Sequence, residues 1–599
     1  MTTYLAPLHD LQFILSHLVG LDEISLLPGC EETTHALAEA VLGQAARFAE
    51  GVLAPLNVIG DTEGCRLEVG GVRTAPGWKE AYRQFSEAGW IGLTMPTQYG
   101  GQDLPKVISA AVTEMWFAAN MAFSLLPPMA SGAVETLLKA ADEKLLAQYL
   151  PKLATGEWTA AMDLTESGSG SDLSGIRTRA EPQADGSYRI FGQKIFITYG
   201  DHDLAENVAH LVLARVPGAP SGTRGVSLFL VSKHVISDDG SLSERNDIQC
   251  VSIEHKLGIH GSPTCVMSFG ETHGAVAHLV GELGRGLEYM FVMVNDSRFN
   301  VGLQGIGIGE RAYQKAAAYA HARIQGRDAI TGEPNVPIAR HPDVRRLLLA
   351  MRSRVMASRI LAFSTASWFD LAKRHPEPSI ADGFRALVDL LMPVVKGWTT
   401  ELALEVANMG IQVHGGMGFV EETGAAQYLR DVRITTIYEG TTGIQANDLV
   451  GRKIRRDKGA TLSCLIEKIR ATASEASGGT QSELGKELAD ALDILASARD
   501  WILDERTEAG ELLAGSVSFL QLLGVVCGAW QMARAALAAD RLRVGGSDDA
   551  AYLESIIELA QFYFAQVLPQ AAMHAKMMKR AGTAVLERAT SPSQSVLAD

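Results

Sequence analysis

Arg433-Ile434-Thr435-Thr436-Ile437-Tyr438-Glu439-Gly440-Thr441-Thr442-Gly443-Ile444-Gln445 is the stretch from which the rest of the chain is read. Its first half is β-branched, which favours extended backbone. Gly440 and Gly443 break the run, and Thr441 or Thr442 can cap a helix running through Ile444, Leu449 and Val450 toward Arg455. One carboxylate, Glu439, therefore stands at a turn between apolar neighbours, just ahead of a helix N-terminus. Apolar surroundings disfavour the charged form, which is how a glutamate becomes a proton acceptor near neutral pH. Taken alone, the segment reads equally well as holding a capping or surface glutamate.

Working outward, Gln412-Val413-His414-Gly415-Gly416-Met417-Gly418-Phe419 lies shortly upstream. Its glycines permit close backbone approach. Far upstream, Thr165-Glu166-Ser167-Gly168-Ser169-Gly170-Ser171-Asp172 follows an apolar strand. A Ser/Gly loop of this kind exposes backbone N–H groups and hydroxyls and can cradle a phosphate or a polar ring edge. It has neither P-loop nor GxGxxG spacing, and in isolation a surface turn is the other reading.

Together with Trp90-Ile91-Gly92-Leu93-Thr94-Met95-Pro96 and Tyr99-Gly100-Gly101, these segments and their order resemble the acyl-CoA dehydrogenase family of flavoproteins over roughly residues 40–455. The resemblance implies FAD as cofactor and an acyl-CoA thioester as substrate. It implies that Glu439 is the catalytic base, with Tyr438 and Gly440 bordering the thioester. Met162, Leu164, Thr165, Gly170, Ser171, Phe196 and Thr198 then face the flavin, and Ser171 also faces substrate. The family usually has tryptophan at the position of Phe196; phenylalanine keeps the aromatic face but lacks the indole N–H donor. Arg323, Gln412, Gly415 and Gly416 match positions that reach the FAD of a neighbouring subunit; Thr441 lies near the adenine-diphosphate portion of the cofactor, and Gly443 also binds the cofactor. Ile324-Gln325-Gly326-Arg327 lacks the phenylalanine often found after that arginine. Asn295-Asp296-Ser297-Arg298 matches the position of CoA-side contacts, so Asp296 and Arg298 are assigned to substrate; a helix-surface ion pair is the ordinary alternative for Arg298. His414 is assigned packing and no catalysis. By analogy with the family, the electrons pass to an electron-transfer flavoprotein.

Composition narrows the classes. A formal charge of −16 argues against a nucleic-acid-binding role, because phosphate neutralisation needs clustered Lys and Arg. Six scattered cysteines form no CxxC pair, so neither a zinc site nor a disulfide framework is indicated, and no metal is expected. They fit a reducing compartment. The start, Met1 to Asp10, lacks a basic n-region, so a cytoplasmic location is expected. Leu512 to Ala533 is uncharged and long enough to span a bilayer. Its serines, glutamine and glycines, with amphipathic flanks, favour a buried bundle helix, and no transmembrane segment is expected.

The expected fold is α+β and multidomain. Residues 1–35 form a helical lead-in anchored by Leu11, Phe13, Ile14 and Leu18. Residues 36–160 are helical, with helices over Leu37–Val52, Trp78–Ala88 and Glu135–Leu153. Residues 161–283 alternate as strands do: Tyr188–Gly192, Lys194–Thr198, Val208–Arg215, Val226–Ser232 and Thr264–Gly270 predict a small β-barrel. Residues 284–455 return to helices, Leu287–Phe299 leading into Val301–Arg323. Residues 456–599 add a further helical domain with a Ser/Gly linker at Ala476–Gly485. Its helices are expected at Lys486–Glu508, Leu512–Val544 and Ala550–Arg580, and the Ser-rich tail from Ala589 is expected to fray. The lead-in and this last domain resemble the large bacterial branch of the family, which includes enzymes acting on 3-methylmercaptopropionyl-CoA. There the extra domain stands where a second dimer would pack, which implies a homodimer.

The expected activity is α,β-dehydrogenation of a fatty acyl-CoA, medium to long chain preferred, to the trans-2-enoyl-CoA. A 3-methylmercaptopropionyl-CoA dehydrogenase is the alternative within the family. An oxidase would share the fold and base and differ in solvent access to the flavin. A catalytically silent, flavin-containing DNA-binding relative would need a basic C-terminal face; Lys453, Arg455 and Arg456 cluster, but residues 486–512 are acidic. A nitroalkane oxidase-like enzyme would use aspartate where this chain has Glu439.

Overall fold

Trp78 fills a place left by a missing side chain. A Cβ on Gly60 would lie 2.3 Å from the Trp78 ring, so only glycine lets the Ala54–Glu63 helix pass it. Trp78 Nε1 donates to Tyr199 Oη at 3.2 Å, and the Tyr199 hydroxyl donates to Ala122 O at 2.9 Å. These bonds join helix to sheet in one of the two compact units of the computed structural model. The structure describes residues 4–237 and 239–586. The first unit comprises residues 4–6 and 40–300, and the second comprises 7–39 and 301 onward.

In the first unit, Lys106–Ser124 is buried continuously from Ala110 to Ser124. It therefore shows no amphipathic period. It breaks at Asn120, whose side chain accepts from Phe123 N at 3.1 Å and donates to Leu53 O at 3.3 Å. The helix expected over Glu135–Leu153 is two, Pro127–Ala140 and Glu143–Thr155. Asp142 starts the second by accepting from Leu145 N at 2.9 Å, an N-cap inside an apparently continuous pattern.

Among the described residues twelve strands follow the order β1 Arg66–Glu68, β2 Gly71–Arg73, β3 Trp158–Asp163, β4 Arg179–Pro182, β5 Tyr188–Thr198, β6 Asn207–Ala214, β7 Ser227–Ser232, β8 His234–Ile236, β9 Leu242–Arg245, β10 Ile248–Ile253, β11 Thr264–Phe269 and β12 Ala275–Val280. Eight of them form one mixed sheet in the order β10-β11-β5-β12-β7-β6-β3, with β4 on β5. The β3–β6 pair is parallel and its other neighbours are antiparallel. β4, paired with β5, also meets the end of β6 through an Arg179–Arg215 bridge, with Ala180 N donating to Arg215 O at 2.7 Å and Arg215 N to Thr178 O at 2.9 Å, so β4, β5, β12, β7 and β6 close into the small barrel expected. The two short runs expected at Tyr188–Thr198 are the single strand β5, with Gly192 at φ +148° in its middle.

The second unit is helical. Leu8–His17 buries Leu11, Phe13, Ile14 and Leu15, and Asp10 beside them meets Arg352 and Arg359 of the Pro342–Arg374 helix. Gly286–Ala322, whose residues up to Asn300 belong to the first unit, is one helix where two were expected. The Ser/Gly linker at Ala476–Gly485 is mostly helical, since Ala460–Ser477 and Ser482–Leu503 leave only a tight turn between them. Ala509–Val544 is long and apolar enough to cross a membrane, but most of its apolar stretch is buried within the protein, as in a core helix. The run expected at Ala550–Arg580 divides into Ala550–Gln566 and Gln570–Val585, because Pro569 cannot donate to a continuing helix. The tail from Ala589 lies outside the described residues.

Candidate active site

The opening stretch is not extended. Arg433–Thr436 is a 3₁₀ turn following the Ala425–Val432 helix. Thr435 Oγ1 donates to Val432 O at 2.7 Å and Thr436 Oγ1 to Arg433 O at 3.3 Å, so hydroxyls satisfy carbonyls that a strand partner would otherwise take. Thr441 is the N-cap of the Thr442–Asp448 helix and accepts from Ile444 N at 3.3 Å. The helix continues through wider π turns over Leu449–Arg455.

Between turn and helix, Glu439 lies at φ +55° and Gly440 at φ +94°. The left-handed region costs an ordinary residue about 1–2 kcal/mol, so the surroundings must hold it. They do so from the Pro378–His414 helix and from within the segment. Lys396 Nζ donates to Gly440 O at 2.6 Å, and Gln445 Nε2 to Glu439 O at 3.1 Å. Thr442 Oγ1 donates to Glu401 Oε1 at 2.6 Å. Tyr438 donates its hydroxyl to Gln304 Oε1. Burial, reinforced by the adjacent Glu439 carboxylate, pushes the Tyr438 phenol well above its ordinary range, so it remains a neutral donor. Glu439 itself is half-buried, as are Tyr438 and Gly440. Lys396, Gln445 and Gln304 were not singled out in the sequence. A lone lysine inside the apolar run Leu391-Met392-Pro393-Val394-Val395-Lys396-Gly397-Trp398 was the available signal.

Gln412, Gly415 and Gly416 are exposed in the same unit, and a Cβ on either glycine would meet nothing within 4 Å. Gly415 turns the chain at φ +59°. His414 stacks on Tyr319 with ring centres 4.5 Å apart and bonds Gly410 O at 2.7 Å, which is the packing role expected of it. Arg323 is exposed at the end of its helix, and Thr441 and Gly443 flank the start of the Thr442–Asp448 helix.

The first unit holds the other expected residues. Met162 lies on β3, paired in register with Leu211, and Leu164 and Thr165 follow it. Glu166 shapes the loop after them, accepting from Arg177 N at 2.7 Å, Thr178 N at 3.0 Å and Thr178 Oγ1 at 2.6 Å. Fully buried Lys194 donates to Glu166 Oε1 at 2.9 Å and to Leu164 O at 3.0 Å. Burial alone would raise the Glu166 carboxyl, but Lys194 and these donors bring it below the usual range. The loop presents exposed Gly168, Gly170 and Ser171, and a Cβ on either glycine would enter open space. Ser169 Oγ is buried and has no hydrogen-bond partner. On β5, Phe196 sits at φ +61° and is 59% exposed, close to half-buried Thr198. An aromatic face held outward, an orphaned hydroxyl and side-chain-free glycines fit a planar ring carrying phosphates, so these residues fit a flavin nucleotide.

Asp296 is tied to neighbours within its own unit. Its Oδ1 meets Lys106 Nζ at 2.5 Å and its Oδ2 accepts from Asn300 Nδ2 at 3.0 Å, so the carboxylate is taken up inside the unit. Asn295, three residues before Arg298, shares its helix face, and its Oδ1 accepts from Arg298 Nη1 at 3.4 Å. Among the described residues no group of three or more His, Cys, Asp or Glu is arranged to hold a metal ion.

Four family descriptions match the chain: the acyl-CoA dehydrogenase N-terminal domain at residues 38–157, its middle domain at 161–272, its C-terminal domain at 284–454, and an acetyl-CoA dehydrogenase C-terminal-like domain at 465–588. The chain is 46% identical over 589 residues to the 3-methylmercaptopropionyl-CoA dehydrogenase of Ruegeria pomeroyi, covering 98% of this chain and 99% of that protein. It is 33% identical to a butyryl-CoA dehydrogenase of Syntrophomonas wolfei, covering 90% of each. It shares the fold of an acyl-CoA dehydrogenase complexed with FAD from Bacillus anthracis, with a TM-score of 0.74 at 22% identity over 95% of this chain and 91% of that one. The protein is an FAD-dependent oxidoreductase acting on CH–CH bonds. The chain belongs to the acyl-CoA dehydrogenase family.

Proposed function

We propose that the chain dehydrogenates a short, unbranched acyl-CoA between Cα and Cβ, with 3-methylmercaptopropionyl-CoA as the leading substrate, and that Glu439 removes the α-proton. The near-full-length relation to an enzyme named for that thioester carries the substrate reading. A CH₃–S–CH₂–CH₂ chain has nearly the shape of a short straight acyl chain, so kinship with a butyryl-CoA dehydrogenase supports the same size of pocket. A medium- to long-chain fatty acyl-CoA is the alternative substrate.

Glu439 takes the proton on a carboxylate oxygen, and its backbone N–H donates to the thioester oxygen as negative charge gathers there. A fixed donor of this kind is worth about 2.7–4 kcal/mol in the transition state. Tyr438 and Gly440 border the thioester, and Arg298, oriented by Asn295, takes a CoA-side oxygen. Met162, Leu164, Thr165, Gly170, Ser171, Phe196, Thr198, Arg323, Gln412, Gly415, Gly416, Thr441 and Gly443 hold FAD. When bound, FAD supplies the acceptor for the β-hydride. Electrons leave to an electron-transfer flavoprotein, and the protein works as a cytoplasmic homodimer. Residues 36–160, 161–283, 284–455 and 456–599, with the lead-in 1–35, act as its domains.

The test is anaerobic titration of the purified yellow protein with acyl-CoAs from C4 to C16 and with 3-methylmercaptopropionyl-CoA, with Glu439→Gln in parallel. Bleaching at lowest concentration by the thioether and the C4–C6 thioesters, absent in the variant, is expected. Preferential bleaching by long chains would overturn the substrate reading, and bleaching of Glu439→Gln would overturn the base.

A further inference from the structure

We infer that Lys396 is a positioning residue for the base, and that the C-terminal helix Ala509–Val544 holds it in place, which makes the extra domain part of the catalytic apparatus. The inference rests on Glu439 as base. Lys396 is fully buried, and its ammonium reaches the Gly440 carbonyl at 2.6 Å. A buried cation is costly, and spending one on a backbone carbonyl fixes that carbonyl's direction. Gly440 O is one peptide beyond Glu439, and Gln445, also fully buried, fixes the carbonyl between them. With both carbonyls held, the left-handed pair Glu439–Gly440 has a single arrangement, and so does the direction of the Glu439 side chain.

Two residues along, Trp398 points the other way, since residues two apart on a helix differ by about 200°. It is fully buried against the Ala509–Val544 helix. A Cβ on Gly524 would lie 2.2 Å from Trp398 Cγ, and one on Gly528 would lie 2.8 Å from Trp398 Cη2. The indole therefore seats in a hollow made by two glycines. Between the two anchors, a Cβ on Gly397 would lie 2.8 Å from Leu520 Cδ2, so backbone presses against the same helix there. A second tie runs from that helix to the segment after the base: Ser516 Oγ donates to Asn447 Oδ1 at 2.8 Å. The Glu439 turn is thus gripped from behind on both of its supports, the Pro378–His414 helix and the Thr442–Asp448 helix.

The experiment follows the base alone. Acetyl-CoA has α-hydrogens and no β-carbon, so its exchange in deuterium oxide on the FAD-loaded enzyme reports proton removal without hydride transfer. Lys396→Met, an unbranched apolar chain one atom shorter and lacking a donor, is expected to slow exchange and kcat at least about tenfold, within the loss that a small misplacement produces. KM and flavin content should stay within about twofold. Gly524→Ala, which drives a methyl into Trp398, and Trp398→Phe should slow exchange in the same direction with flavin retained. Glu439→Gln must abolish exchange. If it does not, the base assignment fails; if it does while all three other variants exchange at the wild-type rate, this inference alone is overturned. Should Lys396→Met not retain flavin, the Trp398 and Gly524 variants decide by the same readout.

Discussion

The Gln445 side-chain amide donates to the carbonyl oxygen of Glu439 at 3.1 Å, from the spot where a side chain on Gly440 would have to go. A Cβ there would lie 2.7 Å from Gln445 Nε2, and Gly440 sits at φ +94°. Gly440→Ala therefore adds strain of about 1–2 kcal/mol and displaces the amide that orients the base. A fall in kcat of about tenfold or more is expected with only a small drop in melting temperature, by steady-state kinetics beside calorimetry. Unchanged kcat would mean the turn does not orient Glu439.

Lys194 and Glu166 pin the loop that carries Ser169, Gly170 and Ser171. Lys194→Met leaves the half-buried Glu166 carboxylate without its cation, and because Arg177 N and Thr178 still donate to it the loss is about 1–3 kcal/mol. Leu164 O loses its donor at the same time. The variant should lose FAD on gel filtration, read as the ratio of flavin to protein absorbance, at temperatures where wild type retains it.

Asp10 gives the lead-in a pH signature. Its carboxylate meets Arg352 Nη1 at 2.5 Å and Arg359 Nη1 at 3.3 Å and accepts from Tyr552 Oη at 3.0 Å. Burial alone would raise its pKa, but the two arginines and the tyrosine hold it below the usual 3.8. A depressed folded pKa gives stability that is complete above the unfolded value and lost as pH falls through the folded one. Asp10→Asn should cost about 3 kcal/mol near neutrality, the low end for a broken buried pair, because Glu310 still accepts from Arg359 at 2.7 Å. The melting-temperature gap between wild type and variant should narrow as pH drops below about 3.8. A gap that stays constant down to the acid transition would contradict the assignment.

The sequence made some features legible and hid others for physical reasons. The glycines at 168, 170 and 416 announce open backbone because neither a close contact nor a left-handed turn requires them. β6, β7 and β11 were read almost to their ends from alternating or continuously apolar runs. The Arg433–Thr436 turn misled because β-branched propensity is weak beside local hydroxyl bonds and burial of Thr435 and Thr436. Lys106–Ser124 went unread because a helix buried on all sides has no polar face to set a period. Lys396 and Gln445 serve backbone carbonyls whose positions exist only after folding, so no spacing encodes them.

Asp296 and Arg298 separate what the run Asn295-Asp296-Ser297-Arg298 presented as one site. Asp296 is consumed by Lys106 and Asn300, whereas Arg298 shares its face with Asn295. Asp296→Asn keeps the shape and the bond to Asn300 but weakens the tie to Lys106. Its effect should be a lower melting temperature with KM for the acyl-CoA within about twofold. Arg298→Lys removes the planar fork that can engage a CoA-side oxygen twice, and Lys is not a conservative replacement there. KM should rise about tenfold, the order expected for losing one charge-assisted hydrogen bond of about 1.5 kcal/mol. Asn295→Ala should raise KM less, because it frees the guanidinium without removing it. Steady-state kinetics on the three variants with one substrate checks the order; an Asp296→Asn KM as high as that of Arg298→Lys would restore Asp296 to the substrate and make its bond to Lys106 incidental.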